Sequence, residues 1–276
     1  MKTADLHTHS RYSDGTNTPR QLVELAAAAG LSAIALTDHD ILDGLPEAET
    51  AAQELGIELV PGLELSSAWR GREAHMLGFY LNFDHAPFQQ LLATQRRNRI
   101  DRIHQMVKKL QQAGLAIEPA DVFAMASHQG AVGRLHVAQA LVKRGHVKTP
   151  EEAFDRYIGN NGPGFIPGSS LTSVEAIRAI RDAGGIPVLA HPIYLRDDAI
   201  IDYLAGEGLL GVEAYHSSHN PETVARYEHI AKRLGLLRTG GTDYHGSAKE
   251  GVPIGQATVS YELVEALKAW KHTHAT

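Results

Sequence analysis

The stretch DLHTHS (residues 5–10) lies near the start of the chain, where a short apolar segment, Ala4 to His7, is predicted as the first strand. Side chains of an extended segment alternate with a period of two, so His7 and His9 lie on the same side and reach one metal ion together. For an isolated pair of this kind, two solvated polar residues at a strand end would be the favoured interpretation. The rest of the chain decides between these interpretations.

Residues of metal-ligand type also occur at the ends of most of the remaining predicted strands. Asp14 stands in SDG after the histidine pair, and TDHD (residues 37–40) ends the second strand and contains His39. The others are Glu64 beyond the third strand, His75 on the fourth apolar segment, His191 in AHP (residues 190–192), and Asp243 and His245 in GGTDYH (residues 240–245). The carboxyl ends of parallel barrel strands share one face, which is where barrel active sites are built. Unrelated surface residues would not recur at the same strand ends, and nine such residues would bind more than one ion.

Amphipathic helices alternate with the predicted strands. Thr18 and Pro19 form an N-cap and first-turn pair, Gly30 ends that helix, and a second helix over residues 46–55 is closed by Gly56. With the first strand, apolar runs at residues 32–37, 57–61, 74–80, 186–190, 209–215 and 236–239 give about seven strands. The alternation is typical of parallel βαβ units, and the 276 residues approach the roughly 250 of an α/β barrel.

The alternation of predicted strands and helices stops in the middle of the chain. Residues 88–169 show helical patterns without apolar strands between them, which predicts a mostly helical insertion subdomain that contributes to the substrate pocket. The catalytic barrel then comprises residues 1–87 and 170–276. The turn-rich loop NNGPGFIP (residues 160–167) is interpreted either as an edge of the pocket or as the return linker.

The composition excludes several classes of protein. The absence of Cys rules out disulfide scaffolds, thiol catalysis and thiolate metal sites, whereas His is abundant, at 16 residues. A net charge of -6 argues against non-specific electrostatic binding of duplex nucleic acid or of an anionic membrane. Neither a signal peptide nor a membrane helix is apparent, so we expect a cytoplasmic protein, and no feature indicates an obligate protein partner.

Taken together, the motifs DLHTHSxxSDG, TDHD, GxExS, AHP and GxDxH closely resemble the polymerase and histidinol phosphatase (PHP) family of metal-dependent phosphoesterases. The resemblance covers residues 1 to about 80 and about 170 to 260. It implies a distorted seven-stranded (β/α) barrel that holds two or three divalent ions, in agreement with the strand count above.

The resemblance also implies how the ligands are shared. A first ion is held by His7, His9, Glu64 and Asp243; Glu64 bridges to a second ion that is also held by His75 and His191; a third uses Asp14, His39 and His245. Some members have His in place of Asp14, which makes the third site weak or empty until substrate arrives. Nitrogen and oxygen ligands suit Mn, our first expectation, and also Zn, Fe or Mg.

Two or more ions of this kind predict hydrolysis of a phosphate ester. The ions activate a bridging water and clamp phosphoryl oxygens for in-line displacement, so no protein nucleophile is required. The lack of a GxSxG elbow agrees with this, and the lack of a Walker A motif disfavours a nucleoside triphosphatase.

Three further residues are candidates for substrate contacts. Arg134 stands in GRLHVA (residues 133–138), ahead of a predicted helix, where a guanidinium forks two phosphate oxygens, and a similar GRxHxA motif occurs in the PHP subgroup that acts on nucleotides and short RNA. Arg99, in the basic segment at residues 96–109, either binds substrate or belongs to a solvated helix face. His216 follows a strand and either contacts the phosphate, protonates a leaving alkoxide, or is structural. His136 and His128 are predicted to be structural.

Three functions compete. The subgroup with this motif is associated with removal of the 3′-phosphate from 3′,5′-bisphosphonucleotides, such as adenosine 3′,5′-bisphosphate, and with 5′-to-3′ trimming of short 5′-phosphorylated RNA, which is the leading hypothesis. A histidinol-phosphate phosphatase would share the metal ligands, although Arg-rich surroundings suit a second phosphate better than a cationic amino alcohol. A non-catalytic, metal-stabilised PHP module is the third, and the intact ligand set argues against it.

Overall fold

The computed structural model describes residues 2–126, 132–249 and 251–274. In this part of the chain one mixed sheet has eight strands in the order β7-β6-β5-β4-β3-β2-β1-β8. The strands are β1 (Thr3–Asp5), β2 (Ala33–Leu36), β3 (Glu58–Trp69), β4 (Arg72–Phe79), β5 (Ile186–Leu189), β6 (Gly211–His216), β7 (Leu237–Gly241) and β8 (Val259–Ser260). The predicted α/β barrel is confirmed, with one strand more than expected, because the two-residue β8 adds to the edge of β1.

Ten α-helices are described in the same part of the chain. They are α1 (Pro19–Ala28), α2 (Leu45–Leu55), α3 (Ala86–Gln112), α4 (Pro119–Phe123), α5 (Arg134–Lys143), α6 (Pro150–Ala153), α7 (Ser173–Asp182), α8 (Ala199–Gly206), α9 (Pro221–Leu234) and α10 (Tyr261–His274). The Thr18 hydroxyl accepts from Gln21 N–H at the start of α1, and Gly56 ends α2 in the left-handed conformation, as the sequence predicts. None of the described helices has the length and hydropathy needed to span a bilayer.

The sheet closes on itself between β1 and β7. Leu6 N–H donates to Gly240 O at 3.1 Å, and Asp243 N–H donates to His7 O at 2.9 Å. Gly241 makes this approach possible, because a Cβ at that position would lie 2.3 Å from the backbone nitrogen of His7. Strands β1 to β7 therefore form a ring, and its closure brings the residues after β1 and after β7 together.

The predicted parallel sheet is wrong at β4, which runs antiparallel to both β3 and β5. No helix separates β3 from β4; a tight turn joins them, with positive φ at Arg70 (48°) and Gly71 (79°). Because β4 runs backwards, its beginning lies where the parallel strands end, and His75 is registered opposite Ser66. His75 thus reaches the carboxyl end of the barrel from an early position in its strand.

The apolar residues of the middle segment form a core of their own. Residues between Ile103 and Ile158 make a buried cluster distinct from the barrel clusters. Helix α3 belongs to both, since Phe88 and Leu92 pack with the barrel, whereas Ile103 and Leu110 pack with the second cluster. The division of the chain at residues 88 and 169 stays a prediction, because α3 is shared.

Candidate metal centre

Nine ligand-type side chains meet at the carboxyl end of the barrel. His7, His9 and Asp14 follow β1, His39 follows β2, Glu64 and His75 lie on β3 and β4, His191 follows β5, and Asp243 and His245 follow β7. All are buried except His75 and His191, which are partly buried. The strands end at one face, so residues far apart in sequence become neighbours.

Glu64 lies at the middle of this group. Its Oε2 is 3.2 Å from His7 Nε2, 3.1 Å from His9 Nε2 and 3.3 Å from His39 Nδ1. Its Oε1 is 2.9 Å from His75 Nδ1 and 2.8 Å from His191 Nε2. The two carboxylate oxygens therefore face two different sets of imidazoles, as expected of a bridging ligand.

Three groups have ligand atoms within 4.8 Å of one another among the described residues. They are His7, His9, Glu64 and Asp243; His9, Asp14, His39 and His245; and His39, Glu64 and His75. The first has the composition expected for the first ion, and the second contains the three residues expected for the third ion with His9 added. In the last group His39 takes the place expected for His191. The His191 ring still lies beside Glu64, with Nε2 2.8 Å from Oε1.

The donor atoms fit divalent cations. His7 Nε2 and His9 Nε2 lie 3.1 Å apart, and two lone pairs at this distance need a proton or a cation between them. Among the described residues, Asp14 Oδ1 and His39 Nδ1 are buried without a hydrogen bond, although His245 Nε2 lies 3.2 Å from the first and Glu64 Oε2 3.3 Å from the second. Imidazole nitrogens and carboxylate oxygens, with no sulfur, form a donor set that suits Mn, Zn or Fe.

The buried carboxylates also require positive charge. Burial alone would raise the pKa of Glu64 and Asp243, but the imidazoles around Glu64, and Lys249 and His245 beside Asp243, hold both pKa values well below the usual range. Burial would lower the pKa of His7, yet neighbouring carboxylates led by Glu213 raise it well above its ordinary value. A divalent ion would satisfy the same carboxylates that otherwise favour a proton on His7.

The centre is held by acidic residues that sequence reasoning missed. Glu213, fully buried on β6, accepts from His7 Nδ1 at 2.9 Å and from His191 N–H at 2.7 Å. With its proton on Nδ1, His7 presents the lone pair of Nε2 to the centre. The available signal was a carboxylate inside the apolar run VEAY (residues 212–215), because a buried charge needs a partner.

A second buried carboxylate orders the loop that contains His9 and Asp14. Asp38 accepts from Ser10 N–H at 2.7 Å, from the Ser10 hydroxyl at 2.6 Å and from the Ser13 hydroxyl at 2.6 Å. Three donors on one side chain fix the turn between the two ligands before any ion binds.

Backbone strain is concentrated at the same face. Asp40, His191 and Asp243 have positive φ values of 54°, 26° and 54°. Non-glycine residues adopt this region at a cost of about 1–3 kcal/mol each, and such positions cluster at functional sites. The strain at His191 and Asp243 accompanies side chains directed into the centre.

A cavity of about 1010 Å³ opens over the centre. The barrel supplies one side of it, including Asp14, Glu64 and His75, and the middle segment supplies the other. The cationic side chains that line it are Arg72, Arg99, Arg102, Arg134, Arg196 and Lys249. The carboxylates that also line it are Asp14, Asp40, Glu64, Glu73, Glu151 and Asp243. Divalent ions at the centre would offset these charges, and the cavity would then favour an anionic ligand.

Arg134 lines this cavity from the first turn of α5. Its guanidinium donates to Glu73 and lies over the ring of Phe154, 5.5 Å from the centroid. Glu73 also pairs with Arg102 at 2.7 Å, and despite its burial the two arginines lower the pKa of Glu73 to about 2. A single carboxylate therefore aligns two guanidinium groups beside the centre.

Arg99 and His216 occupy less direct positions. Arg99 lines the cavity, but it donates to Asp40 at 2.6 Å and to Ser66 Oγ at 2.6 Å. His216 is buried behind Asp243, outside the cavity lining, and its Nε2 lies 3.6 Å from Asp243 Oδ2. Its Nδ1 accepts from Ser218 N–H, so Nε2 carries the ring proton. Substrate contact by either residue stays a prediction, and the position of His216 favours support of Asp243.

Other residues named from the sequence are placed as follows. Asn160, Asn161 and Phe165 of the turn-rich loop line the cavity, so this loop edges the pocket. His136 is buried and accepts from Gly133 N–H, whereas His128 lies outside the described residues. Sequence reasoning missed Lys249, whose Nζ lies 2.8 Å from Asp243 Oδ2 at the cavity wall, because its loop carries no motif.

Comparison with known proteins agrees with this geometry. A profile of the PHP domain matches residues 5–158. A 5′-3′ exoribonuclease of Haemophilus influenzae is 37% identical over 88% of this chain and 90% of its own. A 3′,5′-nucleoside bisphosphate phosphatase of Chromobacterium violaceum is 32% identical over 92% and 91%.

A third relative, a phosphoribosyl 1,2-cyclic phosphate 1,2-diphosphodiesterase of Eggerthella lenta, is 32% identical over 88% of this chain and 94% of its own. Among solved structures, a candidate metal-dependent phosphoesterase from Bifidobacterium adolescentis superposes with a TM-score of 0.90 at 34% identity, covering 96% of this chain and 95% of that one. The names of the three relatives all describe cleavage of a phosphate ester, while the substrates that they name differ.

Proposed function

Because this chain belongs to the PHP domain family and is a metal-dependent phosphoesterase, we propose that it removes the 3′-phosphate from nucleoside 3′,5′-bisphosphates. Trimming of short 5′-phosphorylated RNA is a second activity of the same site in this proposal. The names of the Chromobacterium and Haemophilus relatives support these two substrates. The cyclic phosphodiester of the Eggerthella relative is a substrate to be compared with them.

The observation behind the proposal is that one cavity holds both the cluster of ligand-type residues and two arginines, and each of these would offer a place for an anion. The imidazole and carboxylate cluster lies at its floor, and Arg102 and Arg134, aligned by Glu73, lie on its wall. A substrate with two phosphates uses both places. Histidinol phosphate would instead bring its ammonium group towards the arginines, where like charges repel.

Two to three divalent ions, with manganese as the first choice, complete the proposal. His7, His9, Glu64 and Asp243 would hold one, Glu64, His75 and His191 a second, and Asp14, His39 and His245 a third. Ions held there would supply charge neutralisation for phosphoryl oxygens and activation of water.

The chain's own residues prepare the reaction. Glu213 keeps His7 in the tautomer that presents Nε2, and Asp38 fixes the loop between His9 and Asp14. Arg134 binds the phosphate that is not cleaved, which orients the ribose and reduces the freedom of the scissile ester. Lys249 adds a positive charge next to Asp243 at the wall of the cavity.

Phosphate release by manganese-loaded protein tests the proposal. Adenosine 3′,5′-bisphosphate is compared with 3′-AMP, 5′-AMP, histidinol phosphate and a ribose cyclic phosphodiester, each with and without EDTA. A strong, chelator-sensitive preference for the bisphosphate is expected. Preference for histidinol phosphate or the cyclic diester would overturn the proposed substrate, and full activity of metal-free protein in EDTA would overturn the metal centre.

A further inference from the structure

Tyr194 is a large aromatic side chain left exposed beside the metal centre. It lies on the short 3₁₀ turn Pro192–Leu195, directly after His191, and lines the cavity. Its exposed fraction is 54%, although the ligand-type residues around it are buried or partly buried. An exposed aromatic ring on the wall of a binding cavity offers its face to a ligand.

The ring of Tyr194 is held in place. Its hydroxyl is 2.7 Å from Ser218 Oγ, so the far end of the side chain is fixed. The ring centroid lies 5.2 Å from that of His191 and 6.0 Å from that of His216. Two imidazoles support the ring from the protein side, and a fixed ring loses little conformational entropy when a ligand packs on it.

The aromatic residues across the cavity are differently engaged. Phe154 lies under the guanidinium of Arg134, and Phe165 is partly buried in the turn-rich loop. Among the described residues that line the cavity, Tyr194 is the one aromatic side chain with more than a third of its surface exposed. The free aromatic surface is therefore on the barrel side, away from the second core that supports Arg134.

We propose that Tyr194 is the surface on which the nucleobase of the substrate stacks. The inference rests on the proposed function and assigns the third part of the nucleotide: one phosphate at the metal centre, the other at Arg134 and the base on Tyr194. Every base has a π-face, so stacking of this kind holds purines and pyrimidines alike. The site then recognises a nucleotide without reading its sequence, which suits both a bisphosphate and the end of an RNA strand.

A comparison of substrates with and without a base tests this role. Manganese-loaded wild type, Y194L and Y194F are assayed for kcat/KM on adenosine 3′,5′-bisphosphate and on the abasic 1′-deoxyribose 3′,5′-bisphosphate. Wild type is expected to prefer the adenosine compound by about 10-fold or more, in the range found for base stacking on aromatic residues. Y194L should reduce this preference towards 1, and Y194F should retain it.

Tyr203 provides a matched control. It is 49% exposed, packs on Trp69 with 5.0 Å between ring centroids, and lies outside the cavity lining. Y203L should leave the preference unchanged. Equal losses on both substrates in Y194L, with the preference intact, would show that Tyr194 only supports His191 and would overturn the inference.

A binding measurement separates this inference from the proposed function. Stacking quenches the fluorescence of 2-aminopurine, so titration with 2-aminopurine riboside 5′-monophosphate reports the base contact without hydrolysis. Quenching in wild type and Y194F but not in Y194L is expected. Should wild type release no phosphate from either bisphosphate, the proposed function fails, while the titration still decides the role of Tyr194: no quenching in wild type rejects it.

Discussion

Glu213 shows how a buried carboxylate outside the cavity orients His7, a proposed metal ligand. Its Oε1 accepts from His7 Nδ1, which fixes the ring so that Nε2 faces Glu64 and Asp243. Partners of this kind orient the ligand and raise its basicity. The centre therefore depends on a contact between residues 206 positions apart in the chain.

We expect Glu213→Gln to lower manganese affinity or activity by about 10- to 100-fold, the range for partners of metal ligands. The amide keeps the shape of the side chain but removes the charge that favours His7 Nδ1–H. Bound metal after equilibration at defined free Mn²⁺, measured together with kcat/KM, checks this. Glu54→Gln, at a carboxylate 55% exposed and paired with Arg20, is the control, and unchanged metal binding in the Glu213 variant would contradict the assignment.

Arg134→Ala should lower kcat/KM for adenosine 3′,5′-bisphosphate by the roughly 1.5–3 kcal/mol of a charge-assisted hydrogen bond, or about 10- to 150-fold. Metal content should not change, because the contacts of Arg134 with the described residues are to Glu73, Asn160 and Phe154, which are not ligands of the proposed centre. Arg156→Ala removes an arginine 52% exposed and paired with Glu152, and should have no effect. An unaltered rate constant in the Arg134 variant would remove this residue from the substrate site.

The residues that bind metal in this proposal could be named from the sequence, whereas their supports could not. Ligands belong to three residue types placed after strands, so His39 or Asp243 stands out in the chain. Glu213 and Lys249 act through contacts made only once β6 and the loop after β7 lie beside the centre. No local pattern in the sequence predicts such a contact. The available sequence signal is the carboxylate of Glu213 inside an apolar run.

At the scale of elements, the closure between β1 and β7 decides whether the centre exists. Gly241 allows the two strands to approach, because a Cβ there would also lie 2.8 Å from Asp5 Oδ1. Asp5 in turn accepts from Thr242 N–H and from the Thr242 hydroxyl, and so holds the residue before Asp243. The contacts that close the barrel between β1 and β7 therefore also position Asp243.

Gly241→Ala is expected to lower the free energy of unfolding by about 1–3 kcal/mol, the usual cost of overpacking a core, and to reduce bound metal. Urea unfolding in EDTA measures the first effect without a contribution from ions. Gly206→Ala is the matched substitution, since a Cβ at that helix position meets no atom within 4 Å. An unfolding midpoint equal to that of wild type would show that the closure between β1 and β7 tolerates a methyl group.

Most helices and strands could be predicted from the sequence, but the antiparallel orientation of β4 could not. The N-cap residue Thr18 marked the start of α1 and the left-handed Gly56 marked the end of α2, since these residues satisfy helix ends chemically. The apolar run containing His75 predicted a strand but not its orientation, because hydrophobicity is the same in both directions. The reversal at β4 follows from Arg70 and Gly71, a two-residue turn too short for a crossover helix.

For the whole molecule, metal and stability are linked. Ions that bind the folded chain stabilise it by about 2.7 kcal/mol at a concentration 100 times the dissociation constant. EDTA should therefore lower the melting temperature of manganese-loaded protein and abolish phosphate release, with both restored by added Mn²⁺. Scanning calorimetry checks this, and Glu64→Gln, which alters the central carboxylate, should melt at a temperature little affected by EDTA. A wild-type melting temperature indifferent to EDTA would contradict the linkage.

The reversed strand and the helix that follows it also set a length. Since β4 ends beside Ile186, the first residue of β5, the chain leaves the barrel at the end remote from the centre and must travel back along it. Helix α3 has 27 residues and spans about 40 Å, enough to return and to place Arg99 and Arg102 at the cavity. One more turn before Arg99 would shift the guanidinium groups by about 5 Å along the axis of α3. In the proposed function, the length of α3 before Arg102 therefore contributes to the distance between the metal centre and the arginine pair that would bind a second phosphate.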